Sequence, residues 1–296
     1  MGVERAVISG ATGFVGRSLA SLVEAPIEQV HLAEPDWMDQ VRAADYAGAT
    51  VFHLAARTHG QEPDTEAAYW HDNVVKMRAF AQAAASGGAK RFVFLSTIKV
   101  NGEETSQRPF RSDDAPAPED AYGRTKWEAE KSLANVPGIE FSIVRSPLVY
   151  GAGVKGNLLA LLRLADSAMP LPFGAIENRR SFIHVDDLAR LLVECGTHPA
   201  AAGRVVMAAH PDRASTTRLV ASMRGFLGVP RRLVAVPRFL LEGGAYVAGQ
   251  RARMRRLTRS LEVDAEETQR VLGWIAQISL ETGVEDMVRT YRESIA

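Results

Sequence analysis

Cysteine is almost absent from this chain, and its scarcity excludes several kinds of chemistry. The single thiol belongs to Cys195, so no disulfide can form within the chain, and no metal site can be built from several thiolates. Cys195 closely follows the apolar run 191–193. We therefore expect a buried structural thiol.

The chain also lacks an excess of charge of either sign and any long apolar run. Lys and Arg together number 35, as do Asp and Glu, so the formal net charge is +0 and the overall balance favours neither nucleic acid nor an anionic membrane. No apolar run approaches the roughly 18 residues of a transmembrane helix, and a strand pattern begins at the N-terminus without a leader. These absences predict a cytoplasmic protein, without stable membrane insertion, whose partner is a small molecule.

Three histidines, His53, His59 and His71, suggest a metal site by their residue type. No two of them share a helix face at the spacing of metal ligands, and no cluster of carboxylates joins them. We therefore predict that the protein holds no metal ion.

Strand and helix patterns alternate through the first half of the chain. The strand patterns lie at 5–9, 28–33, 50–54, 91–96 and 140–146, and the helical patterns at 37–44, 66–85 and 120–135. Such alternation predicts an α/β fold whose parallel sheet is covered on both faces, with ligands at the carboxyl ends of the strands. After about residue 150 the pattern is mostly helical, with strands near 181–184 and 204–207.

Gly10, Gly13 and Gly16 lie between the first strand pattern and the first helix. A turn of this kind directs backbone N–H groups and the positive end of a helix towards a bound pyrophosphate. The first glycine permits the turn, the second lets the phosphates approach, and the third lets helix and strand pack closely. The motif predicts a dinucleotide site, although a tight turn without a ligand has the same pattern.

Tyr122 and Lys126 are four positions apart in a helical pattern, which places both side chains on one face. A free phenol has a pKa of about 10, and a nearby cation favours its charged form. Lowering this pKa by about three units takes on the order of 4 kcal/mol, which a buried lysine and a cationic nicotinamide ring supply together. The pair is a candidate acid and base, although surface helices contain the same spacing by chance.

Two features of the second half have alternative interpretations. The apolar stretch 239–247 contains two glycines and is too short to span a bilayer, which leaves an interfacial or a subunit contact. A basic run is either a solvated helix face or the source of one contact to a substrate phosphate. It consists of Arg251, Arg253, Arg255, Arg256 and Arg259.

Several motifs, in order along nearly the whole chain, resemble the extended short-chain dehydrogenase/reductase family of sugar-nucleotide epimerases, dehydratases and reductases. The segments 94–102 and 154–157 are most similar to bacterial UDP-glucose 4-epimerase-like or UDP-N-acetylquinovosamine-forming 4-keto reductase members. The motifs are Gly10-x-x-Gly13-x-x-Gly16, His53-Leu54-Ala55-Ala56, Asn73, Leu95-Ser96-Thr97, Tyr122-x-x-x-Lys126, Arg145-Ser146-Pro147-Leu148-Val149-Tyr150-Gly151 and residues 180–187.

The resemblance implies a Rossmann-like, doubly wound sheet at residues 1–150 that binds a dinucleotide. A smaller, mostly helical lobe at 151–296 would mainly bind the substrate, with some segments returning to the sheet. The implied cofactor is NAD, with NADP not excluded. Its implied contacts are Gly10, Thr12, Gly13, Phe14, Val15, Gly16, Leu32, Leu54, Ala55, Ala56, Arg57, Asn73, Tyr122, Lys126, Pro147 and Val149.

The same resemblance implies the roles of the reacting residues. Tyr122 would be the general acid and base, and Lys126 would bind the nicotinamide ribose and lower the pKa of the tyrosine. Thr97 would contact the reacting sugar oxygen, and Ser96 could share that contact. Asn157 and Arg180 would hold the sugar diphosphate, a task that suits guanidinium geometry.

The region before His53 departs from the family pattern. Only 43 positions separate Gly10 from His53, so a second strand and its helix are expected to be missing or abbreviated. If Glu34 ended the second strand, its carboxylate would accept from the ribose hydroxyls and favour NAD over NADP. His31 would then stand where the family usually has an aspartate near the adenine.

The implied function is proton and hydride transfer at C4 of a nucleotide sugar, of the UDP-hexose 4-epimerase type. The substrate would be UDP-linked, and two copies would pair through helices near 66–85 and 120–135 to form a homodimer. A 4-keto-6-deoxyhexose 4-reductase and a non-catalytic dinucleotide-binding regulator are the alternatives.

Overall fold

The computed structural model describes residues 2–58, 62 and 65–295. His59, named above among the histidines, lies outside the described residues. The first half of the chain builds most of a parallel sheet, and the second half adds one strand to it, a smaller sheet and further helices.

Six parallel strands form the main sheet, in the order β2-β1-β3-β4-β5-β8. Strands β1 and β3 are buried at every position, as expected of apolar strands covered on both faces. The predicted parallel α/β fold is therefore confirmed. The strands are β1 (Ala6–Ser9), β2 (Ile27–Val30), β3 (Thr50–His53), β4 (Arg91–Thr97), β5 (Glu140–Ser146) and β8 (Arg204–Met207).

Helices cover both faces of this sheet. The helices are α1 (Phe14–Leu22), α2 (Trp37–Ala43), α3 (Glu66–Trp70), α4 (Lys76–Ser86), α5 (Ala121–Ala134), α6 (Gly156–Ala165), α7 (Val185–Thr197), α8 (Thr216–Leu227), α9 (Arg238–Val247), α10 (Arg251–Thr258), α11 (Glu266–Leu272) and α12 (Leu280–Ile295). One apolar core lies between the sheet and α2, α4 and α5, and a second lies against α1, α7 and α11. Cys195 is fully buried in the second core, as expected, and burial raises the pKa of its thiol.

The single helix expected at 66–85 is divided. A π-helical turn, His71–Val75, separates α3 from α4. Wide turns of this type are frequent at functional sites because they redirect side chains. This one buries Asn73 against α5, where its Nδ2 donates to the Thr125 hydroxyl over 3.1 Å.

The region between Gly16 and His53 is abbreviated. It holds one short strand, β2, and one helix, α2, and β2 forms an outer edge of the sheet beside β1. Because β2 ends at Val30, Glu34 does not end this strand. It lies in the following turn, exposed, with its N–H bonded to the His31 carbonyl over 3.2 Å. The preference for NAD over NADP was expected only if Glu34 ended the second strand. Glu34 therefore gives no support to that preference.

A smaller sheet connects the main sheet to the C-terminal helices. Its strands are β6 (Leu148–Tyr150), β7 (Arg180–His184) and β9 (Arg213–Ala214), in that order. β6 directly follows β5, and a third apolar core joins this sheet to α6, α8 and α12. The second half of the chain is thereby held against the carboxyl ends of β4 and β5.

Candidate active site

The glycine-rich turn leaves room at the carboxyl end of β1. Gly10 has φ +79°, and a Cβ there would lie 2.8 Å from the backbone nitrogen of Ala55. A Cβ on Gly16 would lie 2.0 Å from the Gly10 carbonyl oxygen, so only glycine allows α1 to pack this closely. Gly13, the N-cap of α1, has no side chain to occupy the positive helix end. The turn therefore offers N–H groups to an anion in the adjoining groove.

A groove of about 290 Å³ runs from this turn to the Tyr122 and Lys126 side chains. Thr58, Leu95 and Ser146 also line it, although sequence reasoning gave them no role. Leu95 and Ser146 lie within named motifs near the carboxyl ends of β4 and β5, and Thr58 directly follows Arg57. The residues expected to bind the cofactor that line the groove are Gly10, Gly13, Phe14, Val15, Gly16, Leu54, Ala56, Tyr122, Lys126, Pro147 and Val149.

Five other residues expected to bind the cofactor are absent from the groove lining: Thr12, Leu32, Ala55, Arg57 and Asn73. The Asn73 side chain bonds the backbone N–H and carbonyl of Arg57, at 2.8 and 3.2 Å. The Arg57 guanidinium pairs with Asp72 at 2.7 Å. Leu32 is buried in the core, and its carbonyl accepts from Lys76. Asn73 and Leu32 therefore stabilise the fold around the groove, and the direct cofactor contacts expected of them stay predictions.

Tyr122 and Lys126 lie in the first turns of α5, facing the carboxyl end of β4. The helix begins there because the Asp120 side chain accepts from the Gly123 N–H over 2.7 Å. The Tyr122 hydroxyl bonds the side chain of Thr97, the last residue of β4. Lys126 is buried, and its Nζ donates to the Leu95 carbonyl over 2.6 Å. The expected trio of Thr97, Tyr122 and Lys126 is therefore assembled in one place.

The pKa values of this pair differ from the sequence-based expectation. Burial raises the pKa of Tyr122 to about 12, with a further contribution from the Asp120 charge and opposition from the Thr97 hydrogen bond. Burial lowers the pKa of Lys126 to about 7, opposed by Glu130. One apolar environment disfavours both charged forms. The lysine alone therefore does not produce a phenolate at neutral pH.

A second cavity, of about 220 Å³, lies beyond Tyr122. Asn157 and Arg180 line it, as expected, and Arg256 of the basic run joins them. Burial lowers the pKa of Arg180 to about 10, so its guanidinium remains charged at pH 7. Its Nη1 donates to the carbonyl of Arg259 over 3.1 Å. Two guanidinium groups at one cavity suit an anionic ligand.

Thr97, Tyr122 and Pro147 line both the groove and the cavity. Ser96 lines the groove but not the cavity, and its hydroxyl donates to the buried Glu130 carboxylate over 2.5 Å. Contact between Ser96 and the substrate stays a prediction. Sequence reasoning also missed Lys99 and Glu103, which line the cavity and pair with each other at 2.7 Å.

Among the residues that the structure describes, no group of three or more His, Cys, Asp and Glu side chains is placed to hold a metal ion. His53 ends β3 fully buried, and its Nδ1 lies 2.6 Å from the Ser9 hydroxyl. Its Nε2 has no hydrogen-bond partner within the described part of the chain. Burial lowers the pKa of His53 well below 6.5, and the Lys126 charge adds to this effect.

We expect His53 to make the protein acid-sensitive. Below about pH 6.5 the unfolded chain binds a proton on this histidine that the folded state excludes, so stability falls as pH falls. One such proton changes the free energy of unfolding by up to about 1.4 kcal/mol per pH unit. Urea unfolding between about pH 5 and 6.5 should show this slope, and His53→Gln should reduce it.

The exposed His31→Gln variant is the control for this measurement and should retain the wild-type slope. An unchanged slope in His53→Gln would show that His53 accepts a proton without loss of the fold.

The groove, the tyrosine and lysine pair, and the adjoining cavity together define an extended short-chain dehydrogenase/reductase. The NAD dependent epimerase/dehydratase family matches residues 6–209. The UDP-glucose 4-epimerase of Vibrio cholerae is 33% identical over 313 aligned residues, which cover 97% of this chain and 95% of that protein. The chain belongs to the NAD-dependent epimerase/dehydratase family, and it is an NAD-dependent enzyme.

Solved structures agree on the fold. MoeE5 in complex with UDP-glucose and NAD aligns with a TM-score of 0.77 at 21% identity, covering 99% of this chain and 100% of that one. RMD from Pseudomonas aeruginosa, complexed with NADPH, aligns with a TM-score of 0.79 at 19% identity, covering 98% and 99%. At these identities the likeness demonstrates the architecture alone.

Proposed function

We propose that this enzyme oxidises and re-reduces C4 of a nucleoside-diphosphate sugar, as a UDP-hexose 4-epimerase. One observation carries the proposal: Thr97 and Tyr122 lie on the wall shared by the groove and the cavity that contains Arg180 and Arg256. A sugar whose diphosphate is bound by the two arginines would present its ring to the phenol. The name and the 33% identity of the Vibrio cholerae relative support a UDP-linked substrate.

The residues of the groove fit NAD. The glycine turn holds space that a single Cβ would fill, and the uncapped N-terminus of α1 offers N–H groups to the pyrophosphate. Lys126 would bind the nicotinamide ribose, and Pro147 and Val149 would line the ring. When bound, the cofactor supplies the hydride acceptor and donor for C4.

The chain's own residues move the proton and hold the substrate. With a cationic nicotinamide ring bound beside Lys126, the phenolate form of Tyr122 would be favoured, and its oxygen would take the proton from the C4 hydroxyl and return it on re-reduction, while the Thr97 hydroxyl holds the same sugar oxygen in place. Asn157, Arg180 and Arg256 would bind the diphosphate. The apolar lining of the cavity excludes water around the reacting centre; it includes Ile98, Leu148, Leu158, Leu161, Phe182 and Leu219.

A 4-keto-6-deoxyhexose 4-reductase is the second candidate, because the abbreviated β2 region favours it. An epimerase must retain its cofactor, whereas a reductase must exchange it. The sheet ends at β2, which carries His31 at its carboxyl end, so fewer residues are available to enclose the adenosine half of the groove. A less enclosed adenosine site exchanges its dinucleotide more readily.

The test combines the cofactor content of the purified protein with product analysis. We expect NAD to copurify with the protein, and UDP-glucose to be converted to its C4 epimer, detected by mass and stereochemistry. A protein that purifies empty, and consumes added NADH or NADPH only with a 4-keto-6-deoxy sugar nucleotide, would establish the reductase instead. Dinucleotide binding without turnover of any nucleotide sugar would indicate a regulator.

We further propose the division of labour between the two halves and the mode of assembly. Residues 1–150 would bind the dinucleotide and 151–296 mainly the substrate, with β8 returning to the main sheet. A homodimer would form through α3, α4 and α5. The exposed Trp70 at the end of α3 supports such a contact, since 47% of its surface is accessible in the single chain.

A further inference from the structure

One helix of the C-terminal half is apolar on its outer face. Leu241 and Ala245 anchor α9 in the protein and are almost fully buried. The opposite face of this helix carries four large apolar side chains at helical spacing. They are Phe239 (71% exposed), Leu240 (54%), Tyr246 (67%) and Val247 (87%).

Two loops that are bonded to each other also expose apolar side chains. Val234 is 49% exposed, and its backbone N–H bonds the Leu171 carbonyl over 2.8 Å. Met169 is 69% exposed. The buried Arg224 donates to the carbonyls of both Met169 and Arg231, which holds the two loops together. A contiguous apolar surface surrounded by polar groups marks an interaction site.

The charge around this surface is strongly positive, although the whole chain is neutral. Residues 231–259 contain eight arginines and one acidic residue, Glu242. Arg238 and Arg259 pair with Glu242, and Arg255 pairs with Glu104.

The remaining arginines outside the substrate cavity form no salt bridge within the described residues. They are Arg231, Arg232, Arg251 and Arg253. The Arg251 guanidinium lies 5.8 Å from the centre of the Tyr246 ring, so cationic and apolar groups share one surface.

The distribution of charge favours one kind of partner for the outer face of α9. A second copy of the chain on a two-fold axis would place this positively charged surface against an identical one, and such like-charge contacts are unfavourable. Nucleic acid would satisfy the arginines but leave the aliphatic side chains of α9 exposed. An anionic lipid surface satisfies both, because phosphate headgroups accept from guanidinium groups while apolar side chains enter the acyl boundary.

We propose that the outer face of α9, with the arginines that flank it, seats this protein on the surface of an anionic lipid bilayer. The helix would lie along the interface, since α9 has ten residues and no described helix is long and apolar enough to cross a membrane. Arg256 and Leu257 of the adjoining α10 line the substrate cavity. The bound protein would therefore hold this cavity close to the lipid headgroups.

The full-length protein should sediment with vesicles of phosphatidylglycerol and phosphatidylcholine at least about tenfold more strongly than with phosphatidylcholine alone, and less strongly as salt is added. The double variant Phe239→Ser/Tyr246→Ser should bind these vesicles at least about tenfold more weakly. Arg251→Gln/Arg253→Gln should bind about thirtyfold more weakly, since each cation near such a surface contributes about fivefold.

Matched surface variants provide the controls. Leu22→Ser and Arg42→Gln replace an exposed leucine at the end of α1 and an exposed arginine of α2, and both should retain wild-type vesicle binding. All these variants should keep wild-type turnover of a soluble nucleotide sugar, because none of the replaced residues lines the groove or the cavity. Retained turnover would also show that a loss of vesicle binding is independent of the proposed enzymatic function.

Four results would overturn the proposal. One is the absence of vesicle binding at low salt. Another is binding that both double variants leave unchanged. The third is a change of oligomeric state in Phe239→Ser/Tyr246→Ser, measured by light scattering, which would show that a second copy covers α9. Tighter binding to polyglutamate than to the vesicles would likewise point to an acidic protein partner.

Discussion

Tyr122→Phe is expected to lower kcat by about 10²–10⁴-fold while the protein still folds and binds its cofactor. The substitution removes the phenolic oxygen and its proton but keeps the ring that separates the groove from the cavity. The other nearby hydroxyl, that of Thr97, has no acidic proton to exchange near neutral pH. Steady-state kinetics together with a cofactor-binding titration would measure the effect.

The control for this variant is Tyr46→Phe. The hydroxyl of Tyr46 donates to the Val41 carbonyl over 2.7 Å in the apolar core beside α2. Tyr46 lines neither the groove nor the cavity. Its loss should cost about 1 kcal/mol of stability and leave kcat unchanged. Turnover near the wild-type level in Tyr122→Phe would refute the proton-transfer role, whatever the substrate is.

The pH dependence of the free energy of unfolding gives a second test of the Tyr122 and Lys126 pair. In the ligand-free protein Tyr122 is a neutral phenol, and Lys126 loses its charge as pH rises through its pKa of about 7. The folded state thus binds the lysine proton less tightly than the unfolded chain, where this pKa is near 10.4. The resulting destabilisation develops as pH falls from about 10 to 7. Burial of Lys126 therefore costs stability.

Arg145→Met is expected to destabilise the protein by about 3–5 kcal/mol, the typical cost of removing one partner from a buried ion pair. Arg145 and Glu130 are 2% and 1% exposed, with Nη2 and Oε2 2.6 Å apart. Nη1 of Arg145 also donates to the Asn101 side chain over 3.0 Å. Without the guanidinium, the Glu130 carboxylate stays buried and lacks its principal counter-charge. Urea unfolding at neutral pH would measure the loss.

Two variants make this result interpretable. Arg145→Met/Glu130→Leu removes both charges and should recover much of the lost stability, because no unpaired charge remains. Arg289→Met breaks an exposed pair with Asp286 and should cost less than about 1 kcal/mol. If Arg145→Met were as mild as Arg289→Met, the buried pair would contribute nothing to the stability of the site.

Much of the site could be predicted because its residues are local in sequence. The Gly10 to Gly16 turn and the spacing of Tyr122 and Lys126 are short-range patterns whose geometry follows from backbone rules. Thr97, which directly follows the predicted strand 91–96, was implied by the family resemblance. The contribution of Arg256 could not be read from the basic run, since five arginines are equivalent until α10 is placed beside the cavity.

Other details could not be predicted because they depend on the surroundings of a side chain. Ser96 and Thr97 are adjacent hydroxyl residues, and their alternation across β4 sends only Thr97 towards Tyr122. Asn73 looked like a cofactor contact, but a π-helical turn directs it to the Arg57 backbone. Glu34 lies beyond the end of β2, and only strand pairing determines where that strand ends.

The sequence by itself determined the alternation of strands and helices, the glycine-rich turn and the placement of Tyr122 and Lys126 on one helix face, because each depends on residues a few positions apart. The tertiary structure decided the direction of the pKa shifts, the arginine that faces the cavity and the exposed face of α9. These properties depend on burial and on distances between remote segments, which short-range patterns do not encode.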